Sequence, residues 1–215
     1  MKDVAPETRA RYQREYMSWR DARDEAVTRA TEPSIGVMTA TEAAANGVDL
    51  DVANIDVRVE DLSASSAREG GARFGTLVHA LLADVPLESA EGDLVERLAS
   101  AHGRVHGANA EEIDSAVAIV RGIVQHPLFA DAARAARNGR CYRETPITLR
   151  MDAGGLIEGF VDLAFEVNGE MVVVDFKTDR ELDGALETYR RQVGIYAHAI
   201  ATATGLPSRG ILMKI

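Results

Sequence analysis

The residues from Val161 to Thr178, VDLAFEVNGEMVVVDFKT, carry two aspartates and a lysine at spacings that bring them together. Asn168-Gly169 is the strongest short-range signal for a two-residue hairpin turn, because both turn positions need positive φ. Pivoting there sets Val167 against Glu170, and counting outward brings Asp162 opposite Asp175. That pair falls on a non-hydrogen-bonded rung, where facing Cα atoms are only about 4.5 Å apart. Facing like charges destabilise a sheet, and a cation between them reverses the sign. Lys177, two residues past Asp175, projects from the same face. Two carboxylates and a lysine at one hairpin end describe a hydrolytic site built on a divalent metal. The plainer reading is that the aspartates are only solvated strand ends.

Three further pieces could serve the same chemistry. FGTLVHALL, residues 74–82, puts His79 inside a helix; a lone histidine among leucines is more often a packed core residue than a ligand. EGFVDLAFE carries Asp162 into the hairpin, and VVVDFKT continues past Lys177 to Thr178. In RRQVGIYAHAI, Gln192 and Tyr196 stand one helical turn apart on one face.

The elements around them divide the chain. Residues 7–30 read as a helix, with Tyr12, Tyr16, Trp19, Ala22 and Ala26 at helical spacing among dense charge. Pro33 ends it. Ile35 to Met38 is a short apolar run, and Thr39 or Thr41 can cap a short helix. Residues 46–72, ending in SASSAREGGA, read as the least ordered stretch. Helices are expected from Phe74 to Val85, from Asp93 to Ala101, after the Asn109–Glu112 capping box, and over Leu128 to Arg137. From Gly139 the pattern turns to strands over 142–150, 156–167 and 170–178. A long helix over 183–204 and a last strand over 210–215 follow. This gives an α/β chain: a helical N-terminal half, then a mixed sheet with an antiparallel hairpin flanked by helices. The expected division is a helical arm with a flexible segment over 1–70 and a second domain over 71–215.

Composition narrows the function. The net charge of −10 argues against nonspecific binding of nucleic acid by the whole surface, so phosphate must be met by bound cations and a few arginines. One cysteine, Cys141, excludes a four-cysteine iron–sulfur or zinc site within the chain. No apolar run approaches the roughly 20 residues of a membrane helix. MKDVAPETRARYQREYMSW has no signal-peptide core, so a cytoplasmic protein without membrane contact is expected. No GxxxxGK[ST] loop is present, so the chain lacks a recognisable ATPase motor.

Four ordered elements together resemble the RecB-like branch of the PD-(D/E)XK nuclease superfamily. They are G-x-x-x-H at Gly75 to His79, GFVD ending at Asp162, D-x-K at Asp175-Phe176-Lys177, and Q-x-x-x-Y at Gln192 to Tyr196. Arg143-Glu144 before a strand also looks like family sequence, with a structural role as plausible as a chemical one. The likeness covers roughly residues 70–215 and implies a restriction-endonuclease-like core. It also implies a Mg²⁺ or Mn²⁺ site formed by His79, Asp162, Asp175 and the Phe176 carbonyl, with no iron–sulfur cluster. An imidazole ligand favours Mn²⁺ over Mg²⁺. Lys177 would hold or deprotonate the attacking water or offset charge on the phosphate, and Gln192 and Tyr196 would orient Lys177 or that phosphate. Arg73, Thr178, Arg180, Arg190 and Arg191, close in sequence to these motifs, are candidates for DNA contacts.

The expected function is therefore a metal-dependent deoxyribonuclease acting on DNA ends or single strands, with exo- and endonuclease modes both open. Such domains often form the tail of DNA-repair helicases of the UvrD/RecB type, so a helicase motor is an expected partner. The alternative is a catalytically weak nuclease-fold module that binds DNA or docks to a helicase. A nuclease for RNA or for restriction-type duplex sites is a third reading.

Overall fold

The computed structural model describes residues 5–48, 50, 52, 54–62, 71–88, 93–152, 154–178 and 184–215. It divides into two compact units, Met1–Gly36 and Val37–Ile215. The first is a single helix, α1 (Pro6–Thr31). Proline in its first turn, Glu7 at its start and Arg29 at its end suit the helix geometry and dipole. The i,i+4 pairs Arg11–Glu15 and Arg29–Glu25 add local support. None of its residues is buried, and Tyr12, Tyr16 and Trp19 are each more than half exposed.

The second unit is built on six strands, β1 (Val37–Thr39), β2 (Val57–Asp61), β3 (Cys141–Arg150), β4 (Leu156–Val167), β5 (Glu170–Lys177) and β6 (Ser208–Lys214). They run in the order β1-β4-β5-β6-β2, with β3 on the other side of β4. The pairs β3–β4 and β4–β5 are antiparallel, and the pairs β1–β4, β5–β6 and β6–β2 are parallel. The mixed sheet expected from the sequence is present. Residues 46–72 differ from expectation, because 57–61 form β2 along the edge of β6. VRVED is too short and too charged to announce itself as a strand; its order comes from backbone bonds to β6.

Helices α3 (Ala72–Asp84), α4 (Leu94–His106), α5 (Ala110–Val124) and α6 (Pro127–Arg137) form one core with one sheet face. Helices α2 (Ala40–Ala45) and α7 (Leu186–Thr204) form a second core with the other. Capping boxes start α2 at Thr39–Glu42 and α5 at Asn109–Glu112, each closing two otherwise unpaired N–H groups.

One irregularity in the sheet positions the site. On β4, Leu163 and Phe165 belong to the first core, but Ile157 and Val161, also odd-numbered, belong to the second. On β3, Cys141 packs on the first core while Ile147 and Leu149 lie in the second. Both strands exchange faces without losing register: Arg143 pairs with Leu163 and Thr145 with Val161. The exchange occurs at Glu144 and Asp162, and Glu144 has φ +44°, a left-handed conformation that an L side chain seldom adopts.

Candidate active site

The hairpin of β4 and β5 turns at Asn168 (φ +53°) and Gly169 (φ +80°), as the Asn-Gly signal requires. Its ladder runs from Val167 opposite Glu170 to Leu163 opposite Val174. It stops one step short of the aspartates, so the Asp162–Asp175 rung expected from the register is not a backbone pair. The Phe176 N–H instead donates to the Asp162 carboxylate at 2.8 Å. A side-chain oxygen has replaced a carbonyl as acceptor, and two carboxylates lie at the mouth of the hairpin.

Asp175 is buried, and its Oδ2 lies 2.6 Å from the Lys177 ammonium. Burial, and then the charge of Asp162, push the Asp175 carboxyl up to about 6 despite the lysine. Burial alone would lower the Lys177 ammonium, but Asp175 and Asp162 outweigh it and the net shift is upward. Lys177 is thus held protonated, with its ammonium 5.3 Å from the centre of the Tyr189 ring.

His79 enters from α3. Its Nδ1 is 3.5 Å from Asp162 Oδ1, and its ring meets Phe176 edge-on at 6.4 Å. Burial lowers the His79 pKa, but the hydrogen bond and charge of Asp162 raise it further, and the net shift is upward. Glu144 stands opposite Asp162. Burial raises its carboxyl, with the charge of Asp162 adding to the shift. Ligand atoms of His79, Glu144 and Asp162 all lie within 4.8 Å of one another, the one such group among the described residues. The sequence leaves the role of Glu144 open. No sequence signal marks a left-handed glutamate in mid-strand; its place beside Asp162 becomes visible only once β3 is registered on β4.

From the opposite side, α7 supplies Gln192 and Tyr196, both buried. Gln192 Nε2 donates to the Tyr196 oxygen at 2.9 Å and to Thr41 Oγ1 of α2 at 3.0 Å. Tyr196 feels the charges of Asp175, Lys177 and Asp162, and burial raises its pKa. It lies against Gly159, where a Cβ would come within 2.7 Å of the ring. The glycine of G-x-x-x-H has a similar use: a Cβ on Gly75 would come within 2.8 Å of Thr178 Oγ1. The absent side chain lets α3 approach the end of β5 and places Thr178 at that junction.

The arginines have definite partners. Arg73 pairs with Glu112 at 2.8 Å, Arg190 donates to the Val57 carbonyl at 3.2 Å, and Arg191 donates to the Ala44 carbonyl at 3.1 Å. Arg180 lies outside the described residues. Arg143 reaches back to the C-terminal end of α3 and donates to the Leu82 and Val85 carbonyls at 2.5 and 2.6 Å. It closes the helix that carries His79. Charged hydrogen bonds of this kind contribute roughly 1.5–3 kcal/mol. Arg143→Ala should therefore lower unfolding stability by about 2 kcal/mol in a denaturant titration. It should also weaken Mn²⁺ binding in calorimetry, whereas Arg143→Lys should recover part of both. Unchanged stability would show that water satisfies those carbonyls as well.

The donor set suits a hard divalent cation: one imidazole, the carboxylates of Glu144 and Asp162, and the buried Asp175 beside them. The carboxyls of Glu144 and Asp175 are pushed up by burial and by the charge of Asp162, and a cation would supply the missing positive charge. Oxygen-rich coordination with one nitrogen fits Mg²⁺ or Mn²⁺, whereas structural zinc sites are built on cysteine and histidine.

A family model of the PD-(D/E)XK nuclease superfamily matches residues 56–213. Two ATP-dependent helicase/nuclease subunits A are similar in sequence. The one from Clostridium kluyveri is 36% identical over 66 residues, covering 30% of this chain and 5% of that protein. The one from Alkaliphilus oremlandii is 26% identical over 153 residues, covering 62% of this chain and 12% of that protein. The chain thus spans a small part of the length of these relatives.

Proposed function

Because this chain belongs to the PD-(D/E)XK nuclease superfamily, we propose that it is a divalent-metal-dependent deoxyribonuclease acting on DNA ends or single strands. The observation that carries the reading is the gathering of His79, Glu144 and Asp162 beside the buried Asp175–Lys177 pair. A catalytically weak docking module has no need of a buried lysine held against an acidic cluster. Similarity to helicase/nuclease subunits supports a role beside a helicase motor, in DNA repair or recombination.

In this reading His79, Glu144, Asp162, Asp175 and the Phe176 carbonyl would hold the cation. Mg²⁺ or Mn²⁺ held there would supply countercharge for a phosphate and make a nearby water easier to deprotonate. Lys177 keeps its ammonium at the edge of the cluster, where it donates to the attacking water or to a phosphate oxygen as negative charge builds. Gln192 fixes the hydroxyl of Tyr196, whose charge interaction with Lys177 would help orient the ammonium. Thr178 and the Phe176 backbone border the substrate path.

The test is digestion of labelled single-stranded DNA, blunt duplex and RNA with Mn²⁺, Mg²⁺ or chelator. DNA cleavage should vanish in chelator and be at least as fast in Mn²⁺ as in Mg²⁺, because one ligand is an imidazole. Cleavage that survives chelation, or that is confined to RNA, would overturn the proposal.

A further inference from the structure

Phe160 is 61% exposed although it lies in mid-strand on β4, with Pro146 of β3 directly opposite and also exposed. Single exposed apolar side chains are ordinary on protein surfaces; the position of this one sets it apart. Its neighbours on the strand face α7: a Cβ on Gly159 would meet the Tyr196 ring, and Val161 is in the second core. Alternation turns Phe160 to the other side of the sheet, the side from which α3 brings His79 to Asp162. Two residues along a strand span about 6.6 Å, so the ring stands one step from Asp162.

Charge decides what can lie on it. Glu158, two residues before Phe160, is on the same side and exposed, while Asp162 and Glu144 flank the ring toward the site. A phosphate over the ring would meet the exposed Glu158, whose charge the proposed cation site does not offset. A nucleobase is neutral and flat, and the backbone that carries it would be held one step away. We propose that Phe160, with Pro146 beside it, is the stacking platform for the unpaired base next to the scissile phosphate, and that it sets a preference for single strands. This rests on the nuclease reading above and adds a specificity-determining residue to it. A duplex base is already paired and stacked, so it gains nothing from the ring.

The experiment uses the full chain and two fluorescent probes, an oligothymidine and a blunt duplex, with affinity read in Ca²⁺ and rates in Mn²⁺. Phe160→Ala should weaken oligothymidine binding about 5- to 100-fold. It should leave duplex affinity and the rate at saturating oligothymidine within about twofold. Phe160→Trp should bind as the parent does, and Phe160→Leu, apolar but without a ring face, should behave like Phe160→Ala. In a Trp19→Phe background, the indole that Phe160→Trp introduces should have its fluorescence quenched by unlabelled oligothymidine. Equal binding by the parent and Phe160→Ala, equal losses for both probes, or a leucine variant as good as the Phe160→Trp variant would each overturn the platform. The second and third results point to a general surface effect, and the first fits a face covered by protein. If the parent chain cleaves DNA in a metal-dependent way while any of these results is found, the platform alone is wrong. If the parent neither binds nor cleaves DNA, the nuclease reading fails with it.

Discussion

Lys177→Met should lower turnover about a thousandfold at saturating DNA and metal, the scale seen when a donor to developing charge is removed. Methionine keeps most of the stem, so the strand end of β5 should still fill its space. The lost ammonium is a mostly buried charge, 2.6 Å from Asp175 and held protonated by its acidic neighbours. In the absence of DNA its partner is Asp175; during reaction its useful partner is whatever becomes more negative. That difference places its contribution in the transition state more than in binding. Oligonucleotide affinity should therefore change little, and metal binding should persist because a competing cation has been removed from Asp175. Single-turnover rates, with anisotropy binding curves on the same variant, check the claim. A near-normal rate once DNA saturates would make Lys177 a phosphate-binding residue only.

Asp175→Asn should abolish detectable cleavage and yet raise the melting temperature of the metal-free protein at pH 8. The two effects have one origin. Asp175 is buried and close to Asp162, and its folded carboxyl lies at about 6, above its ordinary value. A raised carboxyl binds its proton more tightly in the folded state than in the unfolded one. Stability is therefore greatest below the ordinary value and is lost as pH rises toward and through about 6. Above that range the ionised Asp175 costs the fold free energy, and asparagine removes the charge at nearly constant volume. The gain should shrink as pH falls to 4 and should reverse when Mn²⁺ is added, because the parent then gains a ligand-bound state that the variant lacks. Melting curves at pH 4 and pH 8, with and without Mn²⁺, read all of this. A variant less stable than the parent at pH 8 without metal would show that the Lys177 pair outweighs the repulsion.

Much of the site could be read from the residues because its parts are local. Asn168-Gly169 fixed the turn, and the turn fixed which residues of β4 and β5 stand opposite each other, out to Leu163 and Val174. The next step was not predictable from register alone. Two like charges and a side-chain acceptor part the strands there, and the Phe176 N–H goes to Asp162. Gln192 and Tyr196 were legible as neighbours on one helix, but the bond from Gln192 to Thr41 depends on α2 and had no signal. Glu144 is the clearest case of hidden information. Its positive φ is imposed by two strands exchanging faces, and such strain costs on the order of 1–3 kcal/mol. Nothing in RET at 143–145 announces it. The same holds for β1 and β2, whose parallel partners lie far along the chain and leave no local pattern.

That placement of partners bears on how the chain is made. β1 joins β4 and β2 joins β6, each pair separated by most of the chain. β6 lies between β5 and β2, so the sheet cannot be closed until its last strand has left the ribosome. Until those partners have been made the two early strands wait with unpaired edges, the state most open to wrong pairing with other chains. Their sequences fit that wait: β1 is three residues long, and β2 reads VRVED, with charge at three of five positions. The features that made these strands hard to recognise are those that keep a nascent chain from finding the wrong partner.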